Sequence, residues 1–218
     1  MLNRTNIALV ESPEWLGELH PLIEQLGSLD GLTALCSMSA ALCLPRVDSR
    51  PNLECFLHAY QTRLLLPVEL PAIQQAYWHT TRHEIRELMA LDRQLAGVAG
   101  LEALASASRR VGRGQLARLR PLRDQRVVQR YLHAIEAGDA YGWHTLVYGV
   151  TLAIYSIPLR QGLLNYGRQT LRGFINCAAP ALQISEEQSL DLLDKLSSAM
   201  PAAVEKLLVA GLANERSS

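Results

Sequence analysis

Two histidines on a predicted helix have the spacing of a metal-binding pair. In the stretch HTTRHE, His79 and His83 are four residues apart and Glu84 follows directly. Residues four apart share one helix face, so the two imidazoles could bind one divalent ion. A stable site needs three or four donors, however, and the sequence assures no third ligand and contains no HExxH motif. An exposed, hydrogen-bonded pair is the simpler interpretation, and we predict neither a metal site nor a cofactor.

A third histidine, His144, lies inside the apolar run AYGWHTLVYGV, residues 140–150. On a helical wheel, one stripe carries polar-tipped side chains and the opposite side carries small ones. The stripe is His144, Tyr148, Thr151 and Tyr155, and the small residues are Gly142, Gly149 and Ala153. A helix that is apolar nearly all round is buried, and its polar tips must find hydrogen-bond partners. No second acid, base or ligand stands at helical spacing from His144, so we predict a packed residue and no catalytic residue.

An arginine block is the strongest local charge feature. Between Arg109 and Arg130 there are eight arginines and a single acid, Asp124. Three interpretations are open: a nucleic-acid surface, a patch for an acidic protein partner, or a solvated helix face. Glycines and a proline interrupt the segment and aromatic residues are scarce, so a nucleic-acid surface is the weakest of the three.

Composition excludes several classes of protein. The 218 residues are 49% apolar and carry no net charge, which argues against disorder and against a general binder of nucleic acid or membrane surfaces. No run reaches the length of a membrane-spanning helix, no signal peptide is evident, and no phosphate-binding glycine loop is present. Because the four cysteines form no CxxC pair, we expect reduced, buried thiols, with Cys36 and Cys43 on one helix face. The simplest compartment is the cytoplasm.

The periodicity is helical nearly throughout and predicts an all-α fold. Apolar residues recur at three- and four-residue spacing, and sustained two-residue alternation is missing. We expect a single domain over residues 1–218, with frayed termini at 1–11 and 213–218. The chain is expected to break at Pro67 and Pro71. The predicted helices, roughly ten, cover residues 12–27, 29–44, 49–64, 71–96, 101–119, 121–138, 141–157, 158–178, 185–200 and 201–213.

Four short motifs occur in a recognisable order along the chain. They are L-D-x-x-L at Leu91, Asp92 and Leu95; A-S-x-x-x-G-R-x-L-L near Ala107, Ser108, Gly112, Arg113 and Leu116; H-x-x-V-F/Y-G at His144, Val147, Tyr148 and Gly149; and L-G-Q-x-x-x-Q near Leu182 and Gln188. In this order the chain resembles the urease accessory protein family UreF from about Glu69 to Leu208.

The chain also departs from the family pattern. Ala103 and Ala105 stand where the family has Glu and Arg before the Ala-Ser pair. Gln183 and Ile184 occupy the Gly-Gln positions, and the N-terminal loop of the family is not evident. The chain is therefore similar to a divergent member.

The resemblance implies an all-helical homodimer without chemistry of its own. Such a protein bridges a UreD/UreH-type accessory protein and the nickel-carrying GTPase UreG, and the complex helps to insert nickel into apo-urease. Partner contacts are then expected on the arginine block and on the motif positions. The expected residues are Arg109, Arg110, Arg113, His144, Tyr148, Gln183 and Gln188.

Two other functions remain open on the residues alone. One is a helical-bundle enzyme of the TenA or haem-oxygenase type, although no matched set of donors is visible. The other is a basic helical nucleic-acid-binding protein, which the neutral net charge disfavours.

Overall fold

A computed structural model describes residues 29–98 and 100–215. This part of the chain contains ten α-helices, one π-helical segment and no strand, which confirms the all-α prediction. The helices are α1 (Leu29–Ala41), α2 (Arg50–Tyr60), α3 (Leu70–Thr81), α4 (Ile85–Leu95), α5 (Glu102–Arg118), α6 (Arg126–Ala137), α7 (His144–Ile154), α8 (Leu159–Leu182), α9 (Glu186–Ser197) and α10 (Met200–Glu215). Nothing described within these ranges is both long and apolar enough to cross a membrane as a helix.

Some sequence predictions lie outside the described residues. The helix predicted for residues 12–27 and the frayed segment 1–11 belong to this group, and the single domain over 1–218 stays a prediction. At the other terminus, α10 continues to Glu215, and the frayed end at 213–218 stays a prediction.

The predicted break at Pro67 and Pro71 is wrong. A π-helical segment, Gln61–Glu69, joins α2 directly to α3, with Pro67 inside it and Pro71 in the first turn of α3. Proline lacks a backbone N–H donor, and its ring crowds the preceding turn of a helix. At Pro67, the wider π turn can accommodate both effects. At Pro71, the first turn of the helix needs no N–H donor.

The chain breaks instead between α3 and α4. His83 has a left-handed backbone conformation with φ of +61°, so the predicted helix 71–96 is two helices. This turn also removes His83 from the helix face of His79, which contradicts the predicted shared face.

Helix α7 lies at the centre of the core. Every residue from His144 to Leu152 is buried, which confirms the prediction for an apolar helix. The helix begins at His144 rather than Tyr141, so Gly142 is outside it, and Tyr155 is 55% exposed at its far end. A Cβ atom on Gly149 would lie 2.5 Å from the carbonyl oxygen of Ile73, so this glycine lets α7 pack directly on the α3 backbone.

The four cysteines are free, but only part of the prediction for them is confirmed. Cys177 is buried and Cys36 is half-buried, whereas Cys43 and Cys55 are exposed. Cys43 follows the end of α1 and has φ of +57°, so it does not continue the helix face of Cys36.

Helix α5 packs against the residues that precede α7. A Cβ atom on Gly112 would lie 2.2 Å from the carbonyl oxygen of Gly142 and 2.7 Å from the amide nitrogen of His144. No real Cβ contact is this short, so α5 can approach this backbone only with glycine at position 112.

Two glycines of α5 give a matched test of this packing. We expect Gly112→Ala to lower the free energy of unfolding by about 2 kcal/mol or more, because the backbone it meets must shift. Gly114→Ala places its methyl group in open space and should raise the same quantity by about 0.5–1 kcal/mol. Urea unfolding followed by circular dichroism measures both, and equal stability of the two variants would contradict the close packing.

Candidate functional site

A fully buried carboxylate holds the backbone in front of α7. Asp92 on α4 accepts hydrogen bonds from the amide N–H groups of Tyr141, Gly142 and Trp143, the last two at 3.1 and 3.2 Å. The hydroxyl of Tyr131 on α6 donates to the same carboxylate at 2.8 Å. A helix N-terminus exposes N–H groups and a positive dipole end, and Asp92 supplies an acceptor with negative charge there.

Helix α5 completes this arrangement through Ser108. The hydroxyl oxygen of Ser108 accepts the N–H of His144 at 3.1 Å, one turn before Gly112 makes its close approach. Asp92 on α4 and Ser108 on α5 thus accept the four successive N–H groups of residues 141–144. In the sequence these two residues were visible only as motif positions.

Two arginines of α5 fix the other side of the same loop. We call residues 140–143 the 140–143 loop. The guanidinium of Arg109 lies 4.2 Å from the ring centre of Tyr141 and 4.7 Å from that of Trp143, within cation–π range. The Nε of Arg113 donates to the carbonyl oxygen of Tyr141 at 3.0 Å. The buried Asp92 therefore binds the backbone N–H groups of the loop, while Arg109 and Arg113 contact its aromatic rings and the carbonyl of Tyr141.

An open groove runs along α5 beside this loop. Its volume is about 720 Å³. We call it the arginine groove, and its lining residues are Glu102, Ala105, Ser106, Arg109, Arg110 and Arg113. Arg110 and Arg113 are exposed and Arg109 is half-buried. The three arginines predicted to meet a partner thus lie together on one surface.

His144 is an interior residue, as predicted. Its ring is fully buried, and its Nδ1 lies 3.0 Å from Oε1 of Gln115. A carbonyl oxygen accepts, so this contact places a proton on Nδ1. The rings of Tyr148 and Tyr166 pack 6.1 Å away on two sides.

Tyr148 is equally buried and is bonded within the chain. Its hydroxyl donates to the carbonyl of Gly162 at 3.2 Å and accepts from the amide of Asn165 at 3.3 Å. Burial raises the pKa of Tyr148 to about 12. Because neither His144 nor Tyr148 has exposed surface, we leave both out of the proposed partner surface.

The two glutamines predicted to meet a partner lie at the turn between α8 and α9. Both are exposed. Gln183 ends α8 in the left-handed conformation, with φ of +54°. Gln188 forms a capping box with Ser185, in which each side chain bonds the backbone of the other residue.

His79 and His83, at the end of α3, do not lie together on one helix face. Nδ1 of His79 lies 2.8 Å from Oε2 of Glu84, while His83 sits in the turn. Within residues 29–98 and 100–215, no group of three potential metal-ligating side chains is present.

A second buried carboxylate lies at the end of the π-helical segment, and sequence reasoning missed it. Glu69 is 3% exposed and accepts hydrogen bonds from the hydroxyls of Tyr60 and Tyr166, the latter at 3.4 Å. The hydroxyl of Tyr166 also lies 3.2 Å from Oγ1 of Thr145 on α7. Burial raises the pKa of Glu69 to about 7, against the opposing effect of the two tyrosines. A lone glutamate in the run LLLPVELP was the only sequence signal for this site.

Replacing Asp92 tests the buried cap. In Asp92→Asn, one oxygen becomes an amino group that faces N–H donors, so we expect the free energy of unfolding to fall by on the order of 3 kcal/mol. Asp139→Asn, an exposed change close to the same loop, should shift it by less than about 0.5 kcal/mol. Chemical denaturation at neutral pH measures both, and a similar small loss in the two variants would contradict the role of Asp92.

Glu69 predicts a pH-dependent part of the stability. Its folded-state pKa of about 7 exceeds the ordinary value of 4.5, so the folded protein holds a proton that the unfolded chain has released. The contribution of Glu69 is therefore greatest below pH 4.5 and is lost as the pH rises through about 7, by on the order of 3 kcal/mol. Glu69→Gln stays neutral, so the variant should gain stability relative to wild type as the pH rises between these values. A constant difference between the two proteins over this range, measured by urea unfolding, would contradict the shift.

Comparison with known proteins gives this architecture a family. No curated protein sequence matches the chain. The UreF family model matches residues 47–197, which cover helices α2 to α9, both buried carboxylates, the 140–143 loop and the arginine groove. The match extends over most of the chain, and it agrees with the all-helical fold. The chain therefore belongs to the UreF family, whose members are urease accessory proteins and not enzymes.

Proposed function

We propose that this chain is a non-enzymatic chaperone that promotes nickel insertion into apo-urease. In this role it bridges a UreD/UreH-type accessory protein and the nickel-carrying GTPase UreG. The observation that carries the proposal is the UreF family match over residues 47–197. Nickel is the cargo of the assembled complex, and the chain itself needs no cofactor for this role.

The use of polar groups within the chain supports a scaffold role. Asp92, Ser108 and His144 are buried, and each bonds the backbone or a side chain of the chain itself. These groups fix the loop and the packing of α7, so they have a structural use that needs no substrate. A rigid scaffold suits a protein that holds partners in a defined arrangement. This use of polar residues disfavours the helical-bundle enzyme considered above.

Two exposed regions suit contacts with two partners. One is the arginine groove with Arg109, Arg110 and Arg113, and the other is the α8–α9 turn with Gln183 and Gln188. They belong to different helices, which suits a bridging role. Two of the groove arginines already bind the 140–143 loop, which favours a shaped protein-binding surface over a general phosphate-binding one.

We further propose a homodimer that works in the cytoplasm. Large apolar side chains remain exposed at Leu190 on α9, which is 50% exposed, and at Val209 on α10, which is 66% exposed. Burial of such side chains against a second copy would favour a symmetric interface.

Complementation tests the proposed function directly. In cells that carry a urease operon without its own UreF gene, we expect this chain to restore urease activity in nickel-containing medium. The purified chain should form a complex with the cognate UreD/UreH-type protein and UreG, with two copies of the chain by light scattering. Cells with an empty vector provide the control. A folded, well-expressed chain that restores no activity and binds neither partner would refute the proposal.

A further inference from the structure

We infer that Tyr141 and Arg110 are the anchor residues of a docking surface for an acidic segment of a protein partner. Tyr141 lies in the 140–143 loop, where its ring packs against the guanidinium of Arg109, and Arg110 follows Arg109 on α5 and lines the arginine groove. The inference rests on the proposed function, because it takes the partner to be one of the urease accessory proteins.

The loop that carries Tyr141 is fixed before any partner binds. Its backbone N–H groups are bonded to Asp92, and the carbonyl of Tyr141 accepts from Arg113. Tyr141 nevertheless remains 37% exposed. An aromatic side chain on a fixed backbone loses little freedom on binding, and tyrosine and arginine are enriched among the residues that dominate binding energy. This makes Tyr141 suited to be an anchor.

The charge of the groove defines the partner. Four other arginines have acidic neighbours on the chain itself: the pairs are Arg50–Glu54, Arg120–Glu136, Arg160–Glu205 and Arg168–Asp194. Across the described ranges, no such ion pair involves Arg109, Arg110 or Arg113, although the groove contains one acid, Glu102. Three arginines with so little compensation attract carboxylates, which the guanidinium fork can bind through two hydrogen bonds.

The three arginines divide into two roles. Arg109 stacks on two rings and Arg113 holds the loop carbonyl, so both position Tyr141. The side chain of Arg110 is exposed, and within the described part of the chain it forms no hydrogen bond or ion pair. Its guanidinium can therefore pair with a carboxylate of the partner without breaking a contact within the chain.

Matched variants separate the anchors from other exposed side chains of the same types. Tyr141→Ala is compared with Tyr155→Ala, which removes another exposed tyrosine at the far end of α7. Arg110→Glu is compared with Arg172→Glu, which reverses an exposed charge on α8. Circular dichroism and urea unfolding establish that all four variants are folded.

Surface plasmon resonance with the full chain immobilised gives the decisive measurement. The analytes are the cognate UreD/UreH-type protein, UreG and their mixture, each at low and high salt. We expect Tyr141→Ala and Arg110→Glu each to weaken binding of one analyte by about tenfold or more, and both controls to stay within about twofold of wild type. Binding by wild type should weaken with salt, because charge pairs steer it.

Each other outcome overturns the inference in a recognisable way. If wild type binds the accessory proteins and both anchor variants bind equally well, the surface is wrong while the proposed function stands. If wild type binds none of them and does not restore urease activity, the proposed function fails and the inference fails with it. Salt-sensitive binding of wild type to duplex DNA, lost in Arg110→Glu, would replace the acidic protein by a nucleic acid.

Discussion

A carboxylate that is fully buried must be satisfied by hydrogen bonds, and this requirement organises the centre of the molecule. Asp92 meets it by accepting three successive backbone N–H groups and the hydroxyl of Tyr131. These contacts tie α4 and α6 to the start of α7. Because α7 lies against α3 and α5, this carboxylate links α4 and α6 to the helices that pack around α7. Its loss would leave several buried donors without an acceptor, and each such group costs on the order of 1–3 kcal/mol.

Glu69 is a second buried carboxylate and imposes a comparable constraint. It receives hydroxyls from α2 and α8 at the end of a π-helical segment. The π geometry lets the chain continue through Pro67, so α2, the π-helical segment and α3 follow one another without a break. Burial raises the pKa of Glu69 and outweighs the opposing effect of the two hydrogen bonds. The two carboxylates therefore differ in character: one caps a loop with backbone donors, and the other joins tyrosines in the aromatic interior.

These interior constraints have a consequence at the surface. The loop that Asp92 holds from within carries Tyr141, and the arginines that cover the loop form the groove beside it. A protein that assembles other proteins needs such a surface to be already shaped, because ordering a loop at the moment of binding weakens the complex. The 140–143 loop thus connects the structural role of the buried Asp92 with the proposed partner-binding role of the exposed Tyr141.

The sequence by itself determined the helical fold, the burial of α7 and the family. Periodicity fixes the first two, because the apolar face of a helix must be buried wherever its neighbours lie, whereas the family follows from the order of the four motifs. The motif positions Asp92, Ser108 and His144 were also visible, but their purposes were not. Tertiary structure alone decided that Asp92 and Ser108 meet the same backbone, since 36 to 51 residues of chain separate the bonded groups. It also decided that the helix passes through Pro67 and that Cys43 is exposed, because these depend on π geometry and on chain direction after a helix ends, which periodicity does not encode. Cys55 lies within α2, and its exposure depends on which face of that helix the neighbouring helices cover.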